Sequence, residues 1–125
     1  MQWLFVAAGG ALGAMARFFI TVHLYPVTGN KFPLGTLVVN LLGCAAVAVF
    51  YVLIVEKALL APYWRHLIVT GFLGALTTFS TFSLDALLLW QNGLHSVAFF
   101  YVLANLVGCL LVVCGSWYLV NFVLS

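Results

Sequence analysis

Four apolar stretches, from about Trp3 to Leu24, Gly35 to Val55, His66 to Trp90 and Ser96 to Phe122, take up nearly the whole chain. Each is long enough to cross a hydrocarbon core, which needs about 20 apolar residues as a helix. Within lipid every backbone polar group must be satisfied inside the protein, so such spans have to be helical. Charged residues make up only 5% of the 125 residues and hydrophobic ones 66%, too little polar surface to cover a soluble domain. The expected fold is an all-α integral membrane protein, a single four-helix transmembrane domain in a lipid bilayer, with no nucleic-acid partner.

The first basic residue is Arg17, so the N-terminus lacks the positive region of a signal peptide and is expected to be a retained first span. YPVTGNKFP reads as a turn-forming connector, EKALLAPYWRH as a second with Pro62 as breaker, and QNGLH as a short third. Trp3, Tyr25, Tyr63, Trp64, Trp90 and Trp117 fall near span ends, where aromatic side chains favour the membrane interface. Cys44, Cys109 and Cys114 lie in apolar stretches without a CxxC or Cys/His spacing and read as small core-packing residues.

Four spans put both termini on one side. Lys57 and Arg65 belong to that side; Lys31 belongs to the other, and Arg17 lies nearer to it. The positive-inside rule therefore selects no orientation. Either a partner sets the topology, or the chain inserts both ways and pairs as an antiparallel homodimer. In the first span AAGGALGAMA carries the Gly9/Gly13 spacing that lets helix backbones approach closely in lipid. Gly71/Gly74 and Gly108/Gly115 read as further packing positions.

The third span is polar at its centre. Gly74, Thr77, Thr78, Ser80 and Thr81 allow a helix break whose freed backbone groups hydroxyls could satisfy; a continuous helix with hydroxyls bonded back to their own carbonyls is the alternative. Other polar residues lie at the same depth. Asn40 is on the second span, and Tyr101, Asn105 and Cys109 form an i, i+4, i+8 stripe on the fourth. With Phe79, Phe82 and Ser83 they cover overlapping depths at roughly 1.5 Å per residue. Amide and hydroxyl donors and the electropositive edges of phenylalanine rings suit a small anion better than a cation. Arg17 and Asp85, about five to seven residues inside their spans at 1.5 Å each, read either as an ion pair fixing two helices or as groups at a pore mouth, where Arg17 attracts anions. His23, His66 and His95 sit at span ends or in connectors, and no base–nucleophile pair is visible, so no enzyme activity is expected.

GTLVVN (Gly35 to Asn40), GFLGALTTFSTFS (Gly71 to Ser83) and the GG-x-x-G-x-x-x-R pattern from Gly9 to Arg17 resemble the Fluc/CrcB fluoride channels over nearly the whole chain. The resemblance implies a dual-topology antiparallel homodimer with two fluoride pores, whose third helices break near the dimer centre. It implies a structural sodium ion held there by the backbone carbonyls of Gly74 and Thr77 from both subunits. Phe79 and Phe82 would turn ring edges to fluoride, with Asn40 beside the path, Arg17 at the vestibule, and Thr81 and Ser83 as further lining positions. Tyr101, Asn105 and Cys109 would form the polar track, Cys109 being a departure because a thiol is a weak donor. The expected function is passive export of fluoride across a prokaryotic cytoplasmic (inner) membrane, giving fluoride resistance. Two rivals remain. A small drug/proton antiporter needs an intramembrane carboxylate, which the first span lacks. A non-transporting membrane subunit would use its polar residues for assembly alone.

Overall fold

The computed structural model describes residues 1–125. It holds four helices long and apolar enough to cross a membrane: Gln2–Lys31, Leu34–Glu56, Arg65–Gln91 and His95–Val123. These match the four apolar stretches. The first packs chiefly against the third and the second against the fourth. Large apolar side chains such as Trp3, Phe18, Leu110 and Phe122 remain exposed on the outside of the bundle, where water would penalise them and lipid would not.

The first helix, α1, covers Gln2–Thr28 and corrects the expected end near Leu24. Part of YPVTGNKFP is helix rather than turn, because Pro26 lies in the last turn of α1. There it removes one hydrogen bond and can be accommodated. The chain then tightens into a 3₁₀ turn, Gly29–Lys31, which Gly29 enters with φ 58°. Thr28 Oγ1 donates to Phe32 O at 2.6 Å and Tyr25 Oη to Asn30 Oδ1 at 2.9 Å, fastening the connector.

The crossing of the first and third spans is backbone against backbone. A methyl group on Gly9 would come within 2.9 Å of Phe72 N, and one on Gly13 within 2.9 Å of the Phe72 carbonyl carbon. From the other side, a methyl on Gly71 would reach 2.9 Å from Val6 O. The third span is π-helical over this region, Arg65–Leu73, and its Leu67 and Phe72 carbonyls lie against the two glycines. Gly108 is also at a close contact, 3.2 Å from Leu41 Cδ2 for an added methyl, whereas Gly115 has no neighbour within the chain and does not pack as the sequence suggested.

The second and fourth spans run side by side and parallel, in one register. Asn40 bonds Asn105 across a separation of 65 residues, and the Asn121–Glu56 bond at the far end has the same separation of 65. Thr36 and Tyr101, one turn before the asparagines, meet on a common acceptor, Asp85. Cys44 and Cys109 are the corresponding pair one turn after them. Two parallel helices in constant register thus stack a hydroxyl rung, an amide rung and a thiol rung along one seam.

Candidate functional site

The centre of the third span departs from helical dihedrals. Thr77 has φ −82°, ψ 157° and Thr78 φ −153°, ψ 124°, both extended, between the helical segments Gly74–Leu76 and Phe79–Gln91. Extended residues inside a membrane span release backbone groups that lipid cannot satisfy. Asn40 satisfies those of Thr78. The Thr78 N–H donates to Asn40 Oδ1 at 2.9 Å, and Asn40 Nδ2 donates to Thr78 O at 3.2 Å. Asn40 Nδ2 also donates to Asn105 Oδ1 at 3.0 Å, and Asn105 Nδ2 to Tyr101 O at 3.0 Å. The hydroxyls divide the remaining work. Thr77 Oγ1 donates to Leu73 O at 3.0 Å, and Thr78 Oγ1 caps the following helix by accepting from Thr81 N at 3.2 Å.

Two cavities meet at Thr78, which lines both. The outer one, about 710 Å³, is bounded by Arg17, Thr21, Thr36, Thr81, Asp85 and Asn92 among others. The inner one, about 460 Å³, is a groove lined by Asn40, Cys44, Gly74, Thr77, Phe79, Phe82, Asn105 and Cys109. Of the residues singled out in the sequence, Asn40, Phe79, Phe82, Asn105 and Cys109 therefore share one space with Gly74 and Thr77. Arg17 and Thr81 belong to the outer cavity. Phe82 is buried with its ring 5.4 Å from both Phe79 and Tyr101, while Phe79 itself is 71% exposed on the open side of the groove.

Tyr101 and Ser83 lie elsewhere. Tyr101 is fully buried, packed edge-on to Phe32 and donating its hydroxyl to Asp85 Oδ2 at 2.8 Å. Ser83 is exposed, and its hydroxyl is spent on Phe79 O at 2.9 Å within its own helix. Ser83→Ala is accordingly expected to change stability by no more than about 0.5 kcal/mol, as exposed substitutions usually do; its unfolding midpoint in detergent checks it.

Asp85 was expected either to pair with Arg17 or to stand at a pore mouth; its observed partners are hydroxyls. It accepts from Thr36 Oγ1 at 2.9 Å as well as from Tyr101, so it ties the second, third and fourth spans together. Arg17 and Asp85 line the same cavity, but the partners of Asp85 Oδ2 are these two hydroxyls, not Arg17. The guanidinium is thus left to the cavity. Tyr101→Phe removes one charge-assisted bond and is expected to cost about 1.5–3 kcal/mol of stability, measurable as a lower unfolding temperature in detergent.

The cysteines also depart from the core-packing expectation. Cys44 and Cys109 are partly exposed along the inner groove, and Cys114 is exposed on the outside.

This geometry can be compared with known proteins. The family model described as CrcB-like protein, Camphor Resistance (CrcB), matches residues 4–117. The Fluoride-specific ion channel FluC of Saccharophagus degradans is 58% identical over 105 residues, which is 84% of this chain and 78% of that protein. The protein of the same name from Hahella chejuensis is 46% identical over 121 residues, 97% of this chain and 95% of its own. The one from Shewanella amazonensis is 47% identical over 110 residues, 88% of each. With a match that runs from the first span into the last and relatives 46–58% identical over 84% or more of its length, the chain belongs to the CrcB-like family.

Proposed function

We propose that this chain forms a passive, fluoride-selective channel that lets fluoride accumulated in the cytoplasm leave across the inner membrane of a prokaryote, protecting the cell. The names of its relatives supply the ion. The observation that carries the reading is the inner groove, where amide, hydroxyl and phenylalanine groups converge without a carboxylate, beside an outer cavity that holds Arg17. Arg17 raises the local anion concentration. Beyond Thr78 the ion exchanges water for weak donors, the edges of Phe79 and Phe82 and the second N–H of Asn105, which bind loosely enough to release it. Thr81 lines the approach to this site. This is transport without a covalent step, and the protein is a channel rather than an enzyme.

In this reading the working unit is an antiparallel homodimer with two pores. Phe79, exposed in a single chain, and the open side of the groove are the surfaces a second copy would cover. The balanced placement of Lys31, Arg17, Lys57 and Arg65 supports insertion in both orientations. The extended pair Thr77–Thr78 interrupts the third helix near its midpoint, so a two-fold axis in the membrane plane would bring two such breaks together.

The Gly74 and Thr77 carbonyls fit a structural sodium ion there. In a continuous helix they would accept from the amides of Thr78 and Thr81. Those amides donate instead to Asn40 Oδ1 and Thr78 Oγ1, leaving hard oxygen lone pairs of the kind such a cation prefers. Sodium would supply positive charge that holds the paired breaks together. Asn40 and Thr78 keep those carbonyls free.

The test is fluoride efflux from liposomes holding the purified protein, read with a fluoride electrode and repeated with chloride. Rapid loss of fluoride with little loss of chloride is the expected result. A monodisperse, folded protein that releases neither ion would overturn the channel reading.

A further inference from the structure

The thiol rung of the seam between the second and fourth spans has no role in the structure described so far. Cys44 and Cys109 follow Asn40 and Asn105 by four residues on each helix, so the register that joins the asparagines at 3.0 Å also brings the two thiols face to face. Both line the inner groove beside Phe79 and Phe82. The helices are close here, since Gly108 lies against Leu41. Both thiols are free, not joined in a disulfide. No third His, Cys, Asp or Glu stands with them. That excludes the four-ligand tetrahedral arrangement of zinc. It leaves the chemistry of two sulfur ligands on opposite sides of one ion, which suits soft d¹⁰ cations such as Ag⁺, Cu⁺ and Hg²⁺.

We propose that Cys44 and Cys109 form a two-thiolate binding site for a soft d¹⁰ cation inside the inner groove, and that its occupancy closes the groove to anions. The site itself stands on the placement of the thiols; the closure rests on the channel reading. On binding, each thiol gives its proton to water and each sulfur donates a lone pair to the metal, with no change of oxidation state. With a monovalent cation the product carries one net negative charge, placed among the weak donors that would otherwise receive fluoride. It would repel an approaching anion at close range and low dielectric. With Hg²⁺ the product is neutral and acts by filling the groove.

Silver nitrate in chloride-free buffer is the probe. Cys114→Ser, outside the groove, removes the exposed third thiol and serves as the parent. The parent is expected to retain one Ag⁺ per chain against a monothiol competitor. Cys44→Ser and Cys109→Ser, each checked for monodisperse elution, should hold it at least tenfold less tightly because neither can chelate. Fluoride efflux of the parent should fall at least tenfold with one equivalent of Ag⁺ and return when excess dithiothreitol strips the metal. Equal retention by the single-thiol variants would overturn the site. Retention that needs both thiols while efflux continues would overturn the closure. Retention that needs both thiols, in protein that passes no fluoride even without metal, would uphold the site and overturn the channel reading alone.

Discussion

Asn40→Asp is expected to lower fluoride efflux at least about 100-fold. Asn40 is 8% exposed and makes three bonds at once: it accepts from the Thr78 N–H and donates to Thr78 O and Asn105 Oδ1. A carboxylate keeps only the first. The other two become oxygen against oxygen, with a negative charge that has no cation within the cluster. Leaving a buried charge unpaired costs about 3–5 kcal/mol, and about 1.4 kcal/mol corresponds to a factor of ten. The charge would also sit on the wall of the groove that the channel reading assigns to the anion. Efflux from liposomes, with thermal unfolding of the same preparation, separates the two effects. Asn40→Ala should unfold earlier through loss of the Thr78 partners without adding the repulsion, so it should retain more flux than Asn40→Asp. Equal and normal flux in all three proteins would show that the amide is needed for neither purpose.

Gly13→Ala is expected to destabilise the chain strongly for a change of one carbon. The added methyl overlaps the Phe72 carbonyl, and backbone held in a helix cannot move aside as a flexible side chain can. Overpacking typically costs about 1–3 kcal/mol, and the rigid partner places this site at or above the upper end. Gly9→Ala meets Leu67 O and Phe72 N and should behave alike. Gly10→Ala, between them in sequence, has open space around the new methyl and should be silent. Unfolding midpoints of the three variants in detergent make the comparison. A Gly13→Ala protein as stable as Gly10→Ala would mean that the first and third spans do not cross at these glycines.

The contrast between Gly10 and Gly13 shows what a linear reading reaches. The Gly9/Gly13 spacing was legible as a contact because small residues four apart share a helix face. Which helix they meet was not. The depth of Asn40, Phe79, Phe82, Asn105 and Cys109 was likewise legible, since a helical rise of about 1.5 Å per residue converts position into depth. The structure gathers all five around one groove. Ser83 shares that depth but lies outside the groove, with its hydroxyl closed on Phe79 O. Tyr101 keeps its place on the fourth-span stripe yet is committed to Asp85. Neither direction could be read from depth. Pro26 misled for a local reason, because a proline in a last helical turn costs little.

The sequence alone determined the solvent, the number of spans and the depth of each polar group. Hydropathy sums locally along the chain, and a lipid core converts that sum into a helix of set length. Only the tertiary structure decided which polar groups face one another. Asn40 takes over the backbone of Thr78, Asp85 gathers Thr36 and Tyr101, and Cys44 comes to lie beside Cys109 through the register of two parallel helices. That register goes with close packing between surfaces far apart in the chain, such as Gly108 on Leu41. Close packing acts between helices brought into contact, and a small-residue spacing on one helix does not say which helix it meets.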